Sequence, residues 1–174
     1  MRAVVQRVLR AEVSVEGTVV GRIGHGLLAF VGVGREDDES DARYLVDKIA
    51  GLRVFANDSG KMSHALGDFG GALLVVSQFT LYGDLSRGRR PSFDGAMLPA
   101  AAERLYDTFV ALARARLAEV ATGQFGADMR VQVDNDGPVT LILGSPSEAR
   151  VKSPRHAERV EPDAPGGELP SAKR

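Results

Sequence analysis

Ser77-Gln78-Phe79-Thr80 follows directly on the apolar run Leu73 to Val76. Polar side chains at the end of a buried strand are held rigidly and often line a site. The hydroxyls of Ser77 and Thr80 are potential nucleophiles toward a carbonyl carbon. The Gln78 amide is a potential donor to a developing oxyanion. The plain alternative is a strand that emerges into solvent, and residue types alone do not decide between the two. A hydroxyl nucleophile needs a base. The chain holds three His: His25 between two glycines in an apparent turn, His64 in a polar loop, and His156 in a Pro-rich C-terminal segment. Each reads as a loop residue before it reads as a base. Nor do the three have the close spacing of a zinc motif, so no metal site is expected.

Two further segments carry possible chemistry. Arg87, Arg89 and Arg90 cluster in a Gly- and Pro-containing stretch, where guanidinium groups suit bidentate contacts to phosphate. A solvated loop is the ordinary reading of the same pattern. Asn135-Asp136-Gly137-Pro138 lies between two alternating segments, Met129 to Val133 and Val139 to Leu143. On local physics this is a hairpin turn.

The elements that must position these residues are legible in part. Val13 and Val15 alternate with polar residues, Glu16-Gly17 marks a turn, and Leu27 to Val33 is a continuous apolar run that predicts a central strand. The acidic stretch Glu36 to Glu39 suits a helix N-terminus, followed by Ala42, Leu45, Ile49 and Leu52 at helical spacing. Pro99 opens a second helix with Ala102, Leu105, Phe109, Leu112 and Arg116 along one stripe. Together these predict a mixed α+β domain with two main helices. Five of the eight prolines lie beyond Gly144, among few and unpatterned apolar residues. Residues 145–174 therefore read as a disordered tail behind a domain of residues 1–144.

Bulk properties bound the function. No apolar run approaches the roughly 20 residues of a membrane span, and Met1 to Arg7 lacks the apolar core of a secretory signal. The chain has no Cys, which excludes disulfides and thiolate chemistry and makes the cytoplasm the expected location. A net charge of -1 and a pI near 6.3 argue against a protein that coats nucleic acid, but not against a local RNA contact.

Ser77-Gln78-Phe79-Thr80 and Asn135-Asp136-Gly137-Pro138-Val139-Thr140 occur about 60 residues apart, and as a pair they resemble the signature of the D-aminoacyl-tRNA deacylase family. Gln6-Arg7-Val8, Gly60-Lys61-Met62, Arg89-Arg90-Pro91-Ser92-Phe93 and Gly123 to Met129 agree in order and spacing. Gly83 and Gly126 stand where Ala is expected, a small-for-small departure. The resemblance covers roughly residues 1–144. It implies a strongly curved, barrel-like mixed sheet and a homodimer. It also implies a cis Gly137-Pro138 peptide that projects into the partner's site as a chiral selector. The ester joining a D-amino acid to tRNA is the implied substrate, glycyl-tRNA a possible second one, and no cofactor is needed. Ser77, Gln78, Phe79 and Thr80 form the catalytic strand end, with backbone N–H groups at Phe79 and Thr80 as oxyanion donors. Phe125 and Met129 join Gly137 and Pro138 around the substrate, and Arg7, Arg87, Arg89 and Arg90 are expected tRNA contacts. Two other functions compete. One is a Ser/Thr hydrolase of small D-amino-acid esters with Thr80 as nucleophile. The other is a non-catalytic RNA-binding module.

Overall fold

The computed structural model describes residues 1–147. β1 (Arg2–Val15) is the spine of the sheet. It turns through Glu16 and Gly17, both at positive φ, into β2 (Thr18–Ile23). Two consecutive positive φ values match the twist of a two-residue hairpin. β3 (Gly26–Gly32) returns along the N-terminal half of β1. After α1 (Glu39–Ala50), the short strands β4 (Phe55–Ala56) and β5 (Met62–His64) form a small separate sheet, followed by the single-turn α2 (Leu66–Phe69). β6 (Ala72–Ser77) lies parallel to β3, and β7 (Val120–Thr122), reached through α3 (Pro99–Arg116), lies parallel to β6.

Both predicted helices form. Asp38 caps α1 and exchanges a capping box with Asp41, which fits the acidic stretch read from the sequence. Leu52 falls beyond the helix end at Gly51. In α3 the buried stripe is Ala102, Tyr106, Phe109, Val110 and Ala113, one step around the helix from the predicted one. Leu105 and Leu112 sit at its half-buried margin and Arg116 is exposed. The two helices pack on one face of the sheet over Ala3, Val5, Leu27, Ala29, Leu73 and Val75. The other face encloses a second cluster that includes Val8, Val13, Ile23, Leu28, Leu74 and Val76. That enclosure requires β2 to curl against β7. Gly21 permits it, because a Cβ there would meet the Thr122 carbonyl oxygen at 2.3 Å. The result is the curved, nearly closed mixed sheet expected.

β8 (Met129–Gly144) overturns the hairpin reading of Asn135 to Pro138. Its two halves do not pair with each other. Both run antiparallel to β1, from Met129 opposite Val15 to Gly144 opposite Arg2. Asn135 pairs with Val8 and Thr140 with Gln6, so four residues, Asp136 to Val139, stand opposite Arg7 alone. The segment is a large bulge that leaves the sheet and rejoins the same ladder. The Asn135 side chain closes its base by donating to the carbonyls of Arg7 and Val139 at 2.8 and 3.2 Å.

The domain also runs past the boundary expected at Gly144. Ser145 is buried and donates its N–H to the Met1 carbonyl at 2.9 Å, while its hydroxyl accepts from the Met1 amino group. The Ser147 hydroxyl donates to Asp37 at 2.8 Å and lies 2.7 Å from Asp41. Burial opposes ionisation of Asp41. Hydrogen bonds from Ser147, Ser145 and the Asp38 N–H outweigh it and hold the carboxyl below its ordinary pKa. The remainder of the expected tail, 148–174, lies outside the described residues. A Ser145→Ala/Ser147→Ala variant should lose about 1–3 kcal/mol at neutral pH, as buried partners are left unsatisfied. A depressed carboxyl pKa gives stability that is present above the unfolded value and lost in acid. The gap from wild type should therefore narrow below about pH 4 in denaturant melts. Wild-type stability at neutral pH would show these bonds to be dispensable.

Candidate functional site

Ser77 ends β6 opposite Val31 of β3. The Gln78 N–H still donates to the Val31 carbonyl at 2.8 Å. The chain then leaves the sheet in a single 3-10 turn, Phe79–Tyr82, closed by Leu81 N–H to Gln78 O at 3.3 Å and Gly83 N–H to Thr80 O at 2.9 Å. Neither the Phe79 nor the Thr80 N–H donates a hydrogen bond among the described residues. The first N–H groups of a helical turn have no partner inside it, so the turn presents two fixed donors.

Ser77, Gln78 and Phe79 form one wall of a cavity of about 630 Å³, with Phe125 and Met129 on another. That volume is within the ordinary range for a small-molecule site. Its interior is mainly apolar. The charged side chains on its wall are Arg35, Asp94 and Asp128, and all three are exposed. No His lines it. Behind the wall the Tyr106 hydroxyl donates to Val75 O at 3.0 Å, and the same carbonyl accepts the Gly123 N–H at 2.9 Å. These bonds fix the strand two residues before Ser77. Burial pushes the Tyr106 pKa well up, so the hydroxyl stays a neutral donor. Its ring lies 5.7 Å from that of Phe125.

Five of the expected residues thus meet in one place. Thr80 does not line the cavity, and its hydroxyl accepts from Gln78 Nε2 at 2.5 Å. Gly137 and Pro138 are also absent from the cavity of their own chain. Their peptide is cis, both residues are exposed, and the loop stands at the far side of β1. Arg7 is drawn into the fold. Its side chain is only 12% exposed, with Nε 2.7 Å from Asp136 and Nη1 donating to the Val54 carbonyl. A guanidinium spent in this way braces the 136–139 loop. His25 reinforces the same corner: its Nε2 is 3.7 Å from Asp136, and its ring sits edge-on to Phe69 at 4.6 Å. Arg87 and Arg90 line a second, polar groove, and Arg89 lines neither space.

Arg35 and Asp94 were not legible as wall residues. They are brought together by an isolated bridge between Gly34 and Ala96 and by the Arg35 N–H donating to Gly95 O at 3.0 Å. No periodic signal announces a pairing of that kind. Phe93 and Asp128 stand inside segments that the sequence had marked, and Phe93 packs edge-on to the exposed Phe79 ring at 4.9 Å.

A rigid strand end, a turn with two unengaged N–H donors and an apolar enclosure make this the candidate site for a small or terminal group. The chain belongs to the D-Tyr-tRNA(Tyr) deacylase family, whose model matches residues 4–144. The D-aminoacyl-tRNA deacylase of Sorangium cellulosum (strain So ce56) is 63% identical over 146 residues, covering 83% of this chain and 97% of that relative. The enzyme of the same name from Koribacter versatilis (strain Ellin345) is 55% identical over 148 residues, covering 85% and 99%. Among solved structures, the c-Myc DNA Unwinding Element Binding Protein is 42% identical with a TM-score of 0.80, covering 84% of this chain and 99% of that one. A probable eukaryotic D-amino acid tRNA deacylase gives a TM-score of 0.72 over 82% and 97%. At 17% identity that likeness concerns the fold alone.

Proposed function

We propose that this protein is a hydrolase that cleaves the ester between a D-amino acid and the 3′ end of tRNA. The free amino acid and the tRNA are released, as chiral proofreading in translation. The observation that carries the chemistry is the unengaged pair of N–H groups at Phe79 and Thr80, on a cavity that holds no His. An aminoacyl ester is already activated. Water attacks its carbonyl carbon, the carbonyl oxygen becomes an oxyanion, and the ribose oxygen leaves with a proton. Fixed donors at the oxyanion and a held substrate supply most of what this step needs. A protein nucleophile is unnecessary, and Ser77 and Gln78 serve as the wall that orients the ester. The terminal ribose 2′-OH, carried by the substrate, is the group available to assist the water.

The same reading assigns a dimer. Phe30, Val4 and Ile142 stand side by side across three neighbouring strands, and Ile142 is 82% exposed. Val4 and Phe30 are half-buried and Ile142 projects beyond them, which gives a second copy an apolar row to cover. A second copy placed there supplies what the cavity lacks, the Gly137-Pro138 loop. With the α-ammonium and the ester held, an L side chain meets that rigid backbone and a D side chain points away. Selection by exclusion needs no contact to the side chain, so many D-amino acids fit. Achiral glycine passes too, which makes glycyl-tRNA a second substrate. The place of action is the cytoplasm, where the charged tRNA is found. No helix among the described residues is long and apolar enough to cross a membrane.

Incubation with matched D- and L-aminoacyl-tRNA should release free amino acid from the D ester only. Release from neither would refute the assignment. Ser77→Ala and Thr80→Ala should each keep activity within about tenfold, since the donors are backbone groups. Complete inactivity of Thr80→Ala, with a trapped acyl-enzyme in wild type, would instead establish a hydroxyl nucleophile.

A further inference from the structure

We propose that the polar groove beside the cavity binds the phosphates of the single-stranded chain leading away from the ester, with Arg87 and Arg90 as its phosphate ligands. This assignment rests on the deacylase reading and adds the route by which the nucleic acid approaches. The groove encloses about 610 Å³ and shares Arg35 and Asp94 with the cavity, so the two spaces meet at those residues. The partition between them is the segment from Ser92 to Ala96. Ser92 and Gly95 face the groove, Phe93 and Ala96 face the cavity, and Asp94 touches both.

This partition is pinned at two points. Gly34 bridges to Ala96, and Asp84 and Ser92 exchange N–H to carbonyl bonds of 2.8 and 2.9 Å. The second pair closes the base of the loop that carries Arg87 and Arg90. The Ser86 N–H adds a bond to Asp84 Oδ1 at 2.9 Å.

Three carboxylates of the groove, Asp37, Asp84 and Asp94, are hydrogen-bonded within the fold. The bonds from Ser86 keep the Asp84 carboxyl below its ordinary pKa, and the positive charge of Arg87 helps after them. Asp37 accepts from the Gly34 N–H and the Tyr82 hydroxyl, Asp84 from Ser86, and Asp94 from the Ser92 hydroxyl. In contrast, the guanidinium groups of Arg35, Arg87 and Arg90 make no hydrogen bond or ion pair among the described residues. Exposed guanidinium forks in a groove suit the paired oxygens of a phosphodiester. The groove also holds Glu36, Asp37, Asp84 and Asp94, so phosphate is taken by the exposed guanidinium groups of the 84–92 loop and not by a net positive wall. The near-neutral net charge is compatible with this arrangement, because two or three local contacts suffice for a strand end.

The test compares two D-tyrosyl esters, one of full-length tRNA and one of adenosine, which has no upstream phosphate. In Arg87→Ala/Arg90→Ala, kcat/KM for the tRNA ester should fall at least about tenfold. The slope of its logarithm against log salt should flatten by about 1.4, since each lost single-strand phosphate contact removes about 0.7. Hydrolysis of the adenosine ester should stay within about twofold of wild type, because neither side chain lines the cavity. Both residues are exposed, and an unchanged melting curve confirms that the variant is folded. Equal losses on both esters would overturn the groove, as would an unchanged tRNA rate and salt slope. Wild-type protein inactive on both esters would overturn the deacylase reading itself.

Discussion

Ile142→Arg should yield a folded monomer that no longer hydrolyses D-aminoacyl-tRNA. In a single chain the position is 82% exposed, and an exposed substitution there should change folding stability by no more than about 0.5 kcal/mol. In a two-fold dimer built on the row Phe30, Val4 and Ile142, the same change is made twice on one self-complementary surface. Each new guanidinium would lose water without gaining a partner, which costs several kcal/mol. The dimer should therefore separate at micromolar concentration in sedimentation equilibrium. Activity should fall about 100-fold or more, because each cavity loses the loop that completes it. A dimer of normal activity would place the interface elsewhere. A fully active monomer would remove the partner's loop from the reaction.

The sequence revealed most where a regular pattern met a buried face. The run Leu27 to Val33, the acidic cap before α1 and Pro99 at the start of α3 all announce elements, and the strand end at Ser77 follows from the apolar run before it. The helical stripe of α3 was misplaced by one position because Tyr106 and Val110, not Leu105 and Leu112, face the sheet. Only packing decides that choice. The segment around Gly137 misled because local turn chemistry cannot tell a hairpin from a bulge that rejoins the same partner strand. The answer depends on β1, more than 120 residues earlier in the chain. Arg7 was marked only through the resemblance, and its bracing contacts were hidden because Val54 and Asp136 are remote from it in the chain. The ends of the domain were equally hidden, since Ser145 and Ser147 have no apolar pattern and are held by carboxylates and the Met1 amino group.

Gly137→Ala is expected to impair the reaction far more than the fold. Gly137 has φ of +113°, a conformation that L side chains rarely adopt. A Cβ there would lie 2.9 Å from Val139 Cγ2, 3.0 Å from Arg7 Nη2 and 3.1 Å from the Val139 backbone nitrogen. The Arg7 side chain cannot give way freely, because Asp136 and the Val54 carbonyl hold it. The loop must therefore move, while the sheet beneath it, closed by Asn135, stays paired. Displacement by about 1 Å at a positioning element costs on the order of 100-fold in rate, so D-aminoacyl-tRNA hydrolysis should fall by about that factor with the fold retained. Loss of the wall should also raise the relative rate on the L ester. Whether the loop serves its own chain or its partner is then decided by mixing. Ala127→Trp should fill the cavity of one chain and leave its loop intact. Mixed and re-equilibrated with Gly137→Ala, the two inactive proteins should recover about a quarter of wild-type sites, each pairing an open cavity with the other chain's intact loop. If the loop acts within its own chain, the mixture stays inactive. Unchanged rate and D/L ratio in folded Gly137→Ala would end the selector role altogether.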